Sequence, residues 1–203
     1  MRNKLFINFI TFVLIFLGSN LKAETIFFDS KNIKIEENGN MIFATKGQAK
    51  IPSSKLVIEG DKFIYDKINS ELVVIDNVKY FDDENNIYIE SDKIIYNEIN
   101  NTIFSKSDTY IKSEADYEIN SNDVLYDRNL NKILSNEYTN VSDKNLNSFL
   151  FKRGLIFELV PEIIFSNEVI VTDKNLNKYF FKESKINLKS NEILGKEVLV
   201  EFE

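Results

Sequence analysis

Apolar residues along this chain fall into columns that return about every 30 residues. One anchor sets the register. Gly60-Asp61-Lys62-Phe63-Ile64-Tyr65-Asp66 returns as Ser91-Asp92-Lys93-Ile94-Ile95-Tyr96-Asn97, and again as Ser121-Asn122-Asp123-Val124-Leu125-Tyr126-Asp127. Around it, Leu56, Ile58, Phe63, Tyr65, Leu72, Val78 and Tyr80 are matched step for step by Ile87, Ile89, Ile94, Tyr96, Ile103, Thr109 and Ile111. A third unit repeats the steps with Tyr117, Ile119, Val124, Tyr126, Ile133, Thr139 and Val141. Degenerate copies flank these: Ile26, Phe28, Ile33, Ile35 and Ile42 before them, Leu150, Leu155, Phe157, Ile164, Val169 and Val171 after. A shortened copy runs from Tyr179 to Val200, which makes about six units in all.

The steps predict strands. Apolar pairs two residues apart, such as Leu56/Ile58 and Phe63/Tyr65, put both side chains on one face of a strand. The five-residue step crosses a polar corner at Glu59-Gly60-Asp61-Lys62, and the seven-residue step crosses Asn-rich turns at 68–70, 99–101 and 130–132. Asn tolerates the left-handed conformation these reversals need, and Asn38-Gly39 is a strong hairpin signal. Each unit is expected to hold about three short strands. Helical repeats of similar length would show a 3.6-residue period rich in Ala and Leu, which is missing. The least regular stretch, 142–148, reads as a loop or a bulge. One continuous domain is expected over 24–203.

Composition agrees and narrows the function. Phe and Tyr are plentiful, Gly and Pro scarce, and Cys, His and Trp absent. No thiolate nucleophile or zinc-thiolate site can form, and the commonest general base is missing. No Gly-rich phosphate loop or nucleophile elbow is present, so the chain reads as no enzyme, with no cofactor and no metal. The corner residues Asp61, Asp66, Asp92, Asp123 and Asp127 lack the spacing of calcium loops and are expected to bond their own turns. Asp82-Asp83-Glu84 is expected in a solvated turn.

The N-terminus reads as an export signal over 1–23. Arg2 and Lys4 precede an apolar run from Leu5 to Leu17, and Leu21-Lys22-Ala23 offers a cleavage site. An uncleaved anchor is the alternative, although a spanning helix needs about 20 apolar residues. Removing Arg2, Lys4 and Lys22 takes the net charge from −7 to −10, which disfavours nucleic acid as a partner.

A signal segment followed by units of this pattern, Asp61 to Asp66 with Asn69 and Leu72, Asp92 to Asn97 with Asn100 and Ile103, and Asn122 to Asp127 with Asn131 and Ile133, resembles the OstA family. That family includes the periplasmic lipopolysaccharide carrier LptA and the N-terminal domain of the outer-membrane assembly protein LptD. The resemblance covers about 30–141 and fades beyond. It implies an all-β, open V-shaped β-jellyroll (a β-taco) of stacked antiparallel strands. It further implies a periplasmic module, free or associated with the outer membrane, that shields lipopolysaccharide acyl chains and joins like-folded Lpt-type proteins edge to edge. The chain would then be a free-standing carrier or part of a longer assembly protein.

On that reading the acyl-chain groove is lined by Ile58, Phe63, Tyr65, Leu72, Ile89, Ile94, Tyr96, Ile103, Ile119, Val124, Tyr126, Ile133, Leu155, Phe157 and Ile164. The partner-binding edges carry Ile26, Phe28, Ile33, Ile35, Val198, Val200 and Phe202. The residues by themselves leave alternatives open. Apolar columns are packed core as readily as groove, and the terminal strands are frayed edges as readily as docking strands. The competing functions are a structural β-solenoid or adhesin-like envelope protein with a closed core and no ligand, and, more remotely, a β-helical polysaccharide-cleaving enzyme. A row of Tyr65, Tyr96 and Tyr126 reads as a structural ladder rather than a cofactor-stacking platform.

Overall fold

Each repeat unit folds as two levels of strand, one running out and one running back, rather than as three short strands. The computed structural model describes residues 25–144 and 147–201. The export signal and Phe202 lie outside the described residues. Five long strands open the chain: β1 (Phe27–Glu36), β2 (Met41–Ile51), β3 (Leu56–Asp66), β4 (Glu71–Asp82) and β5 (Ile87–Asn97). Short strands follow: β6 (Thr102–Ser105), β7 (Thr109–Lys112), β8 (Glu118–Ser121), β9 (Val124–Asp127), β10 (Lys132–Ser135) and β11 (Thr139–Ser142). The chain closes with β12 (Ser148–Glu158), β13 (Ile163–Thr172), β14 (Lys178–Asn187), β15 (Glu192–Lys196) and β16 (Leu199–Glu201). Of the irregular stretch expected at 142–148, Ser142 ends β11 and Ser148 opens β12, and residues 145–146 lie outside the described residues.

The polar corners act in two ways. In the long strands they are irregularities inside a continuing strand: the register shifts between Glu59 and Lys62, and again between Ile75 and Val78, where Asp76 and Asn77 take positive φ. In the next levels the corner interrupts the strand, so that β6 and β7, β8 and β9, and β10 and β11 are halves of single crossings. The turns form as their sequence predicts. Ser70, Asn101 and Asn131 are left-handed, and the Asp66 carboxylate accepts from the amides of Ile68 and Asn69 at 2.9 and 3.2 Å. Asp127 accepts from Leu130 N at 3.0 Å. Asp61 differs from expectation: it accepts from Asn77 Nδ2 on the neighbouring strand at 2.7 Å.

The open V-shaped jellyroll does not form. β5, β6, β9, β10, β12, β11, β8 and β7 pair in turn, and β7 pairs back onto β5, so eight antiparallel strands close into a barrel. Strands β1 to β4 extend it beyond β5, and β13 to β16 extend it beyond β12. Closure follows from strand length. β5 and β12 are unbroken and each offers one edge to two short partners: β7 at Tyr88–Ser91 and β6 at Ile95–Asn97 on β5, β11 at Ser148–Phe151 and β10 at Leu155–Glu158 on β12. The two arms part at one long strand and rejoin at the other.

Inward side chains stack in register along both arms. One ladder runs Ile58, Tyr80, Ile89, Ile111, Ile119, Val141, Phe149, Val171. The other runs Tyr65, Leu72, Tyr96, Ile103, Tyr126, Ile133, Phe157, Ile164, Ile186. Cross-strand neighbours about 4.5–5.5 Å apart make such ladders the unit of sheet stabilisation, and here they merge into one buried cluster.

The first strand depends on a close approach. A Cβ placed on Gly47 would lie 2.0 Å from the Asp29 carbonyl oxygen of β1, so Gly47→Ala must push the two backbones apart. Because β1 pairs only with β2, the expected result is local. Amides of residues 27–36 lose hydrogen-exchange protection by roughly tenfold or more, the loss expected for about 1.4 kcal/mol, while those of β12 keep theirs. Unchanged protection in β1 would show that the strand is held by something other than this contact.

Candidate functional site

All fifteen groove candidates are core. Ile58, Leu72, Ile94, Tyr96, Tyr126, Ile133, Phe157 and Ile164 are fully buried, and Phe63, Ile89, Ile103, Ile119, Val124, Leu155 and Tyr65 are at most 6% exposed. The structure brings them together as facing walls of one interior. None of the fifteen is more than 6% exposed. Tyr65, Tyr96 and Tyr126 occupy alternate levels of one ladder, separated by Leu72 and Ile103.

The feature that closes the interior is a seam. Because successive crossings run antiparallel, the turns at 66–71, 97–102, 127–132 and 158–163 share one rim, and those at 51–56, 82–87 and 112–118 share the other. Arg128 reaches from the first rim into the second. Its Nε donates to Asp82 Oδ2 at 2.7 Å and its Nη2 to Asp82 Oδ1 at 3.1 Å, a two-pronged ion pair. Nη2 also donates to the Ser54 carbonyl at 3.1 Å, and Nη1 to Asn101 Oδ1 at 2.8 Å. The side chains of Arg128 and Asp82 are 2% and 0% exposed. The expected solvated turn is therefore corrected at Asp82, whose carboxylate is among the most buried polar groups described.

Around this pair, Tyr126 donates its hydroxyl to Asp82 Oδ2 at 3.2 Å, and Asn85 Nδ2 donates to the same oxygen at 2.9 Å. Burial by itself would raise the Asp82 carboxyl. The hydrogen bonds from Arg128 and Asn85 and the guanidinium charge outweigh burial and hold it below the usual carboxylate range. The phenols of Tyr80 and Tyr126 are pushed well up by burial and by the Asp82 charge, so they stay protonated. A second bridge crosses the seam further along, where Tyr117 Oη donates to Glu162 at 2.9 Å. The lowered Asp82 carboxyl and the raised phenols of Tyr80, Tyr117 and Tyr126 are not poised to exchange a proton near neutral pH. Together they fasten two rims.

Sequence reading passed over Arg128. Its one signal is positional: it occupies the turn position held by Lys67 and Glu98 in the preceding units, and each of the three amides bonds a carbonyl of the neighbouring turn. Two threonines also differ from expectation. Thr109 and Thr139, placed among the apolar columns, bond Ser105 and Ser135 at 2.8 Å each, and Ser121 joins Ser135 at 2.9 Å.

A mouth of about 400 Å³ opens towards the C-terminus, lined by Phe149, Val171, Tyr179, Phe181, Leu188 and Ile193. At the ends of the sheet, β1 pairs only with β2, and β15 and β16 pair only with β14. Phe28 and Ile26 pack partly against the core, whereas Ile33, Ile35, Val198 and Val200 are exposed. Among the described residues no group of acidic side chains could hold a metal ion, and no helix is long and apolar enough to cross a membrane. No protein-family model and no curated protein matches the chain.

Proposed function

We propose that this chain is a non-catalytic β-repeat scaffold of the bacterial envelope, exported to the periplasm, with a closed core that takes no ligand. The observation that carries this reading is the near-complete burial of both inward ladders behind the Arg128–Asp82 seam. A scaffold of this kind acts through its surfaces and ends. Terminal strands with unpaired backbone accept further strands, and β1 and β16 are the positions at which a like-folded chain would add. Adhesin-like and purely architectural roles both fit.

One observation favours a second reading, in which the chain shields lipopolysaccharide acyl chains at one end. The C-terminal mouth is lined largely by apolar side chains, and apolar pockets with few polar groups are the usual form of a lipid site. One experiment separates the two. A photo-crosslinking residue at Ile193 in the mouth, with Lys46 on the exposed surface as control, is irradiated with lipopolysaccharide. The scaffold reading expects no more lipid on Ile193 than on Lys46. Saturable capture at Ile193 alone would replace it with the lipid reading.

A further inference from the structure

The interrupted corners that let the barrel close leave a groove on its outer side, and nothing in the scaffold reading uses it. The groove has a volume of about 1040 Å³ and follows the breaks between β6 and β7, β8 and β9, and β10 and β11. Its floor is set by the corner hydroxyls. Ser91 Oγ lies 2.9 Å from Ser105 Oγ and 3.1 Å from Thr109 Oγ1, and Thr139 Oγ1 donates to Ser121 at 2.9 Å. These groups satisfy one another while buried, so the floor is fixed before anything binds.

One wall is a row of outward side chains in strict register. Lys79 faces Glu90, Glu90 faces Tyr110 and Tyr110 faces Asn120, one per strand. Adjacent strands are about 4.8 Å apart, close to the length of one pyranose ring, so each ring of an extended glycan laid across the strands would meet a new side chain. Asn122 and Tyr138 line the groove as well, and Tyr138 is well exposed. Amides and carboxylates match sugar hydroxyls as hydrogen-bonding partners, and tyrosine offers an apolar face with a polar tip. Five carboxylates against two lysines line the groove, which disfavours anionic chains.

We propose that this groove binds a neutral or amine-bearing oligosaccharide lying across the strands. The row defines its direction, the tyrosines supply stacking faces, and Asn120 and Asn122 supply hydrogen bonds. The inference is independent of whether the interior takes lipid.

The test is isothermal titration of the folded chain with an N-acetylglucosamine hexamer, with its deacetylated amine form, and with oligolysine. Saturable binding of either sugar is expected. Tyr138→Ala and Asn122→Ala should each weaken it roughly tenfold, the effect of losing one well-made contact. Circular dichroism of the variants confirms that the sheet is intact. Failure of both sugars to bind the folded wild type overturns the proposal, and so does sugar binding that both variants leave unchanged. Binding of oligolysine alone overturns it too, and would make the groove a site for cationic peptides.

Discussion

Arg128→Ala is expected to destabilise the fold by about 3–5 kcal/mol, the range for stripping one partner from a buried ion pair. The loss is large because Asp82 stays behind without a counter-charge, facing the phenols of Tyr80 and Tyr126. It exceeds what the pair itself contributes. Two buried charges give up hydration that their attraction barely restores, so replacing both with apolar groups of similar volume, Arg128→Met with Asp82→Leu, should cost far less than the single change. Urea denaturation of wild type, single and double variants measures the contrast. A single variant no worse than one at the exposed Lys182–Glu197 pair would show that the seam is not held here.

The same pair sets a pH dependence with opposite signs in wild type and variant. In the wild type the folded Asp82 pKa lies below its unfolded value. Its contribution is therefore present in full above the unfolded pKa of about 3.9, and is lost as pH falls through the lower folded value. Without Arg128 burial dominates and raises the folded pKa, so protonation relieves the strained site as pH falls. The stability gap between wild type and Arg128→Ala should thus narrow from pH 7 towards pH 4. A gap that stays constant across that range would mean that Asp82 does not carry its charge.

What the sequence reveals and what it hides divide along a physical line. Alternation of inward and outward residues is a local property, so most of the two ladders and the turns at Ser70, Asn101 and Asn131 are legible from spacing alone. The exception is Leu150, expected in the column, where Phe149 and Phe151 are the buried residues. The seam is not local. Asp82 sits in an acidic run that reads as solvated, and only a guanidinium 46 residues away makes its burial tolerable. Thr109 and Thr139 follow the apolar step pattern, yet they bond corner serines, because a β-branched hydroxyl fits the same strand position as valine. The closed barrel is hidden for a similar reason. Whether a polar corner bends a strand or breaks it depends on the strand beside it, and Asp61 and Asp123 look alike in sequence while β3 continues and β8 stops.

Phe157→Ala tests whether the interior is a dry core or a groove awaiting lipid. Its ring is fully buried, with Tyr117 edge-on at 5.6 Å and Ile133 and Ile164 opposite it in register. In a closed core, deleting such a ring forfeits its transfer free energy and leaves a cavity that the stacked levels cannot fill, for a loss of about 3–5 kcal/mol. In a groove open to water, the ring is already partly solvated in the empty protein, so its removal costs little and mainly weakens lipid capture. The neighbouring Ile156 points outward and is 39% exposed, and Ile156→Ala should cost no more than about 1 kcal/mol, the scale of strand propensity and one cross-strand pair, on either reading. The comparison is therefore internal to one strand, with the same backbone and the same partners β10 and β13. A large loss at Phe157 beside a small one at Ile156 places the ladder in a packed interior. Near-equal small losses would mean that the Phe157 ring is not packed in a closed core, and the scaffold reading would lose the burial that carries it.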